Sequence, residues 1–290
     1  MIHVLYNPIA GGGAGEANAR AIEKLFPNEK CAFYDVRPTN LSALTRSLGK
    51  GDRVILAGGD GTLNHFVNRL PVLPDGVPFY YYAAGSGNDF LRDVKPDANG
   101  LVPLNAYTER LPTVTVRGKT RRFLNGVGYG IDGYCCEEGD RLREKGNKNI
   151  NYAAIAIKGL LGKFKSREAT VEVDGEMKFY RNVWLAPVMN GRFYGGGMMI
   201  APNQDRLNGE GTASVVVLHC RSKLKTLIAF PGIFKGEHVR QTDMVEIRTG
   251  RRTVVEFDRS TPLQIDGETV TDVRKYAVTA AVPAVREQIA

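Results

Sequence analysis

The chain has 290 residues, 43% of them hydrophobic, enough to bury sizeable cores and long enough that two domains are expected. Its net charge is +8 with a pI near 9.3, and no run of about 18 apolar residues occurs, which excludes a transmembrane helix. The start, MIHVLYNPIAGGG, lacks a basic segment followed by a long apolar one, so no signal peptide is expected. The cysteines (Cys31, Cys135, Cys136 and Cys220) form no CxxC pair and read as free thiols of a cytoplasmic protein.

The first hundred residues alternate between two periodicities. IHVLYNP (2–8) reads as a strand closed by Asn-Pro, and EANARAIEKLF (16–26) has helical spacing. CAFYDV (31–36) reads as a strand, and TNLSALTRSL (39–48) as a helix capped by Thr39 or Asn40. RVILAGG (53–59) is a strand leading into the helix LNHFVNRL (63–70). VPFYYYAAG (77–85) is a further strand, followed by the turn SGNDFLRDV (86–94). Strands alternating with helices predict βαβ units and a parallel sheet, whose ligands sit at the carboxyl ends of the strands.

After residue 110 the texture changes. TVTVRGKTRRFLNGVGYG (113–130) predicts a hairpin around Gly118 and Lys119, and a helical stretch follows over 132–164. ATVEVDGEMKFYRNVWLAPVMN (169–190), GTASVVVLHC (211–220), DMVEIRTGRRTVVEFD (243–258) and PLQIDGETV (262–270) read as alternating strands. Their Asp-Gly and Gly-Arg turns predict an antiparallel sandwich. A helix, LKTLIAFPGIF (224–234), interrupts them, and KYAVTAAVP (275–283) is the last strand. The charge is uneven: residues 141–167 hold eight basic side chains against Glu144, a net of +7. Such a patch suits an anionic surface, or is a solvated face. Within it NYAAIAIKGLLGKFK (151–165) reads either as an interfacial helix or as a buried one.

Three glycine turns follow three N-terminal strands: NPIAGGGAG (7–15), GGDGTLN (58–64) and AAGSGNDF (83–90). Backbone N–H groups of such turns cradle phosphate. None is a Walker loop and none fits GxGxxG with an acid about 20 residues on. An acid in the middle turn, Asp60, suggests phosphate that carries a divalent cation. No helix-turn-helix or zinc motif points to nucleic acid.

GGDGTLNHFVN (58–68) and AAGSGNDFLR (83–92) together resemble the catalytic domain of the diacylglycerol kinase and sphingosine kinase superfamily, in its bacterial soluble form. GGDGT alone is shared with NAD kinases; the second turn discriminates. NGRFYGGGMMIAPNQ (190–204) and QIDGE (264–268) are similar to two further motifs of that family, in the same order. The resemblance implies an α/β fold: an N-terminal parallel-sheet nucleotide-binding domain, 1–115 joined by 276–290, plus a C-terminal antiparallel β-sandwich domain, 116–275, for the lipid.

It also implies an ATP-dependent kinase that phosphorylates the hydroxyl of a lipid such as diacylglycerol at a membrane surface, using Mg²⁺. Asn7, Gly11, Gly12, Gly13 and Thr39 would line the nucleotide pocket. Gly58, Gly59, Asp60, Gly61, Thr62 and Asn64 would hold phosphates, with Gly85, Ser86, Gly87 and Asn88 of the next turn. Asp266 and Glu268 match the acids assigned to deprotonate the lipid hydroxyl, and Asp60 would act through the cation. A second, structural Mg²⁺ would be held by Glu210 and the carbonyls of Leu207 and Thr212. A homodimer is implied as well. Without the resemblance, DGE also reads as a hairpin turn. An NAD kinase-like enzyme and a nucleotide-binding regulator without transfer activity are the alternative readings.

Overall fold

The structure, a computed structural model, describes residues 1–69, 73–85, 88–147, 150–162 and 164–283. It divides into two units, Met1–Leu111 joined by the chain from Pro283, and Pro112–Val282.

The first unit is built on a five-stranded sheet: β1 (Ile2–Tyr6), β2 (Cys31–Asp35), β3 (Arg53–Gly58), β4 (Phe79–Ala83) and β5 (Leu101–Pro103), in the order 2-1-3-4-5. The first four are parallel, and β5, for which the sequence carries no clear signal, adds antiparallel to β4. Strand residues alternate between two covered faces, as a parallel sheet requires. Ile2, Val4, Ile55 and Ala57 meet Ala19 and Ile22 from the helical segments Gly15–Arg20 and Ala21–Leu25. On the other side Phe66, from the helix Asp60–Arg69, packs on Phe79, and Tyr81 packs edge-on against Phe90. The helix Leu41–Ser47 is capped by Asn40, whose side chain accepts from the N–H of Ala43 at 3.0 Å.

The second unit is antiparallel. A hairpin, Arg110–Val116 with Lys119–Arg122, turns at Arg117 and Gly118, one residue before the predicted position. Strand Gly126–Tyr129 pairs with Val188–Met189, which pairs with Ala213–His219. That strand pairs with Glu176–Leu185, which pairs with Arg167–Val173. The 14-residue strand Arg252–Ile265 closes the ring. Its first half pairs with Arg167–Val173 and its last three residues with Gly126–Tyr129, with register shifts between Glu256 and Leu263. One strand thus serves both layers of a sandwich, changing layers at an irregularity. The Ala213–His219 strand is apolar from Val215 to Leu218 because both its faces are covered there. Val215 and Val217 point into the sandwich, while Val216 and Leu218 meet the helical layer with Leu160, Phe230 and Ile233. That layer comprises the helices Ile131–Glu144, Tyr152–Leu161 and Lys223–Ala229.

The expected C-terminal segment of the first unit starts later than 276: residues 276–282 lie in the second unit, and the chain rejoins the first at Pro283. Tyr276–Thr279 pair with Arg252–Val255, and Tyr276 and Val278 are buried in the sandwich core, so both ladder and packing hold them there. Residues 284–290 of that expected segment lie outside the described residues.

Candidate active site

Strand order reverses between β1 and β3, and in an open parallel sheet the crevice at such a switch point takes the ligand. Two glycine turns leave the carboxyl ends of these two strands, and side chains knit them together. Asn7, after β1, donates through Nδ2 to the Thr62 hydroxyl at 3.3 Å, and its Oδ1 accepts from the N–H of Ile9. Gly11, Gly12 and Gly13 all adopt positive φ (59°, 71° and 98°), and side chains at Gly12, Gly13 or Gly61 would meet nothing within 4 Å. The turns therefore present bare backbone towards open space.

The third turn docks on the second. A Cβ on Gly85 would stand 2.5 Å from the Cα of Gly59, so only glycine fits. The N–H groups of Ala84 and Gly85 both donate to the Gly58 carbonyl, at 2.9 and 3.2 Å. Tyr81 donates its hydroxyl to the same carbonyl at 3.0 Å and lies 3.2 Å from Asn88 Oδ1, while Asn88 Nδ2 donates to the Gly85 carbonyl. Burial, with the Asp60 charge nearby, holds the Tyr81 hydroxyl well above its ordinary pKa, so it stays a donor.

Asp60 has a definite task here. Its Oδ2 accepts from the N–H of Asp89 at 2.7 Å, and its Oδ1 from that of Phe90 at 3.0 Å. The acid of the GGDGT turn thus fastens the third turn by its first two helical N–H groups, which otherwise lack intrahelical partners. Asn64 is buried and accepts from Asn68. Thr39 donates its hydroxyl to the Asp35 carbonyl at 2.6 Å, and its own carbonyl accepts from Arg69 at 2.8 Å. Arg69 also donates to the Val36 and Arg37 carbonyls, which fixes the loop after β2; sequence reading passed over this arginine. Ser86 and Gly87 lie outside the described residues.

In the second unit Asp266 and Gly267 form the two-residue turn between Ile265 and Glu268, with φ of 47° and 90°. The hairpin reading of DGE is realised, but the carboxylate does more than turn the chain. Its Oδ2 accepts from the N–H of Leu124 at 2.6 Å, and its Oδ1 from those of Asn125 and Gly126 at 2.8 and 3.0 Å. Asn125 is the hub of this cluster. Its carbonyl accepts from the N–H groups of Asn190 and Gly191, and its Oδ1 from Arg206 at 2.6 Å. Asn190 also donates to the Leu124 carbonyl at 2.8 Å. The structure thus brings Asp266 and the NGR stretch together through Asn125 and Arg206. Neither was singled out: Asn125-Gly126 reads as a turn, and Arg206 sits in a stretch without periodicity. Glu268 is exposed and ion-paired with Arg121.

The expected structural cation does not fit the loop 205–212. The Thr212 carbonyl accepts from both Gln204 Nε2 and Asn208 Nδ2, each at 3.0 Å. Asn208 also donates to the Asp205 carbonyl and accepts from the Thr212 N–H, and Gln204 Oε1 accepts from Ser214. Glu210 is exposed, its carbonyl accepting from Arg251. Side-chain amides engage the Thr212 carbonyl and Glu210 stands in solvent, so these two residues, as placed, do not fit the expected cation. EDTA is accordingly expected to leave the melting temperature unchanged, whereas Asn208→Ala should cost about 1–3 kcal/mol by urea denaturation. A stabilising shift on adding Mg²⁺ alone would contradict this.

Asp132 lies fully buried at the start of the helix Ile131–Glu144, and desolvation pushes its carboxyl up to about 7. The neighbouring Tyr194 hydroxyl is raised well above its ordinary value, first by the same burial and then by Asp132. Between about pH 4 and 7 the folded chain holds a proton there that the unfolded chain releases, so stability falls as pH rises through that interval and levels off above it. Asp132→Asn is expected to flatten the profile, gaining on wild type by about 2 kcal/mol between pH 5 and pH 8. Parallel profiles in urea titrations would exclude the buried charge as the cause.

Comparison with known proteins gives the family. Residues 1–117 match the family model described as the diacylglycerol kinase catalytic domain, and residues 125–286 match the YegS C-terminal NAD kinase beta sandwich-like domain. The chain belongs to the YegS-type lipid kinases of the diacylglycerol kinase family. It is 28% identical over 271 residues to a diacylglycerol kinase of Mycobacterium tuberculosis, covering 89% of this chain and 84% of that one. A diacylglycerol kinase of Bacillus subtilis is 25% identical over 279 residues, covering 91% and 88%. A solved structure described as a diacylglycerol kinase from Bacillus anthracis superposes with a TM-score of 0.59 at 17% identity, over 97% of this chain and 94% of that one. This last likeness speaks for the fold alone. As in other members of the family, a parallel-sheet N-terminal domain is followed by an antiparallel β-rich one. No described helix is long and apolar enough to cross a membrane.

Proposed function

We propose that this lipid kinase transfers the γ-phosphate of ATP to the hydroxyl of a lipid of the diacylglycerol type. The observation that carries the reading is the switch point of the first unit. There the turns 7–15 and 58–64 leave adjacent strands, open at Gly12, Gly13 and Gly61, and the turn at Gly85 docks on Gly59. This is backbone arranged to receive phosphate at strand ends. Gly58–Asn64 would bind the β- and γ-phosphates, and Ser86, Gly87 and Asn88 would complete the cradle. Mg²⁺ on the nucleotide would neutralise the charge that develops on the phosphate oxygens.

The lipid oxygen forms a bond to the γ-phosphorus while the bond to the β-bridging oxygen breaks, and ADP leaves. The hydroxyl proton needs an acceptor, for which a positioned carboxylate contributes roughly 10²–10⁴-fold. Asp266 is the residue we assign, with Glu268 beside it. Three N–H donors fix the rotamer of the Asp266 carboxylate, which suits a group that must meet a hydroxyl in one geometry. Asp60 would serve the phosphate-bound cation through its water shell while holding Asp89 and Phe90.

Incubation with ATP, Mg²⁺ and a panel of diacylglycerol, phosphatidylglycerol, a sphingoid base and NAD, read by mass spectrometry, tests the reading. A phosphorylated lipid is the expected product. Phosphorylated NAD alone, or no product from any acceptor, would overturn it.

A further inference from the structure

We infer that the helix Tyr152–Leu161, together with the segment 223–235, forms one docking surface for an anionic lipid bilayer, an inference that rests on the lipid-kinase reading above. The two helices Tyr152–Leu161 and Lys223–Ala229 pack against each other. Each buries one face in the same apolar core, Ala156 and Leu160 from the first, Ala229 from the second, with Phe230 and Ile233 following. Each also leaves an i, i+4 pair of large aliphatic side chains in solvent: Ile157 and Leu161 at 41% and 64% exposure, Leu224 and Ile228 at 68% and 72%. Phe234 adds a fifth at 37%. Exposed apolar residues scattered singly are ordinary, but these five make up half of the chain's ten exposed large hydrophobics among the described residues. Concentration on adjacent elements marks a contact surface.

The charge around them selects the occupant. Lys158, Lys165, Lys223 and Lys235 are exposed beside the apolar residues. Stretch 152–165 holds no acid and 221–236 none either. Aliphatic side chains interleaved with lysines match the boundary between acyl chains and anionic headgroups. The basic stretch 141–167 contributes less than its count suggests. Arg141 and Arg143 are ion-paired with Glu138 and Asp140 of their own helix, and Arg167 is half-buried. The surface therefore centres on 152–165 and gains its second half from a segment some seventy residues away.

Co-sedimentation with phosphatidylcholine vesicles, with and without phosphatidylglycerol, tests it. The chain is expected to bind the anionic vesicles, and Leu224→Glu combined with Ile228→Glu to lower partitioning at least tenfold. Both side chains stand in solvent, so the melting curve should match wild type and report an intact fold. Lys158→Gln with Lys235→Gln should weaken the dependence on phosphatidylglycerol and on salt while leaving residual binding. A wild-type chain that ignores anionic vesicles, or a Leu224/Ile228 double variant that binds as wild type does, overturns the proposal. A double variant that converts a dimer to a monomer in light scattering with vesicle binding unchanged also overturns it, and assigns the face to a second copy of the chain. Phosphorylation of a short-chain, monomeric diacylglycerol needs no bilayer and is measured alongside. If it persists while vesicle binding is absent, only the docking surface fails; if it is absent while vesicle binding is intact, only the kinase reading fails.

Discussion

Asp266→Asn is expected to lose phosphoryl transfer by roughly 10²–10⁴-fold and to destabilise the second unit by about 1–3 kcal/mol. The stability loss follows from the hydrogen bonds. An amide nitrogen cannot accept, so the N–H of Leu124 would face a donor where Asp266 Oδ2 now accepts at 2.6 Å. The two effects need separating, because a loosened turn could itself slow the reaction. The chain supplies a control. Asp174-Gly175 is a second Asp-Gly hairpin, with φ of 51° and 89°, and its carboxylate likewise reaches across to backbone, accepting from the N–H groups of Arg251 and Arg252. Asp174→Ala removes a comparable anchor in the same unit. If Asp266 transfers the proton, Asp174→Ala loses stability but keeps activity within a few-fold, while Asp266→Asn loses far more activity than its stability explains. Matched kinetic losses in the two variants would reduce Asp266 to a structural anchor. Circular dichroism melts and initial rates at saturating ATP supply both readouts.

Asp60→Asn is expected to abolish transfer at every Mg²⁺ concentration, and to lower the melting temperature as well. The carboxylate uses one oxygen each for the N–H groups of Asp89 and Phe90, and asparagine can serve only one of them. The other is left facing an amide donor, at about 1–3 kcal/mol, and one of the two hydrogen bonds that Asp60 makes to the third turn is lost. Raising Mg²⁺ does not restore a hydrogen bond between turns. Recovery of the rate at high Mg²⁺ would show instead that Asp60 only strengthens cation affinity. An unchanged melting temperature would show that the two hydrogen bonds contribute little to the fold.

Much of the architecture was legible from local pattern. Periods of two and 3.6, punctuated by glycine and proline, mark β1 to β4 with the intervening helices and the Asp-Gly hairpins, because each depends on neighbours in the chain. The family too was legible, since GGDGT, GSGNDF and IDGE lie in short contiguous stretches. The path of strand Arg252–Ile265 was not, because a change of layers is a property of its partners. Nor was the pairing of residues 276–279, which depends on Arg252–Val255.

At the candidate site the division is the same. The residue types at positions 58–64 and 264–268 were set by the sequence, as was the question of why an acid sits in a glycine turn. Only the tertiary structure shows that Asp60 fastens the turn at Asp89, that Asn208 and Gln204 close the loop where a cation was expected, and that Asn125 and Arg206 surround the Asp266 anchor. These are hydrogen bonds between residues far apart in the chain or between side chain and backbone. Composition and spacing carry no trace of them, because the donor that satisfies a carboxylate is chosen by the fold and not by its neighbours in sequence.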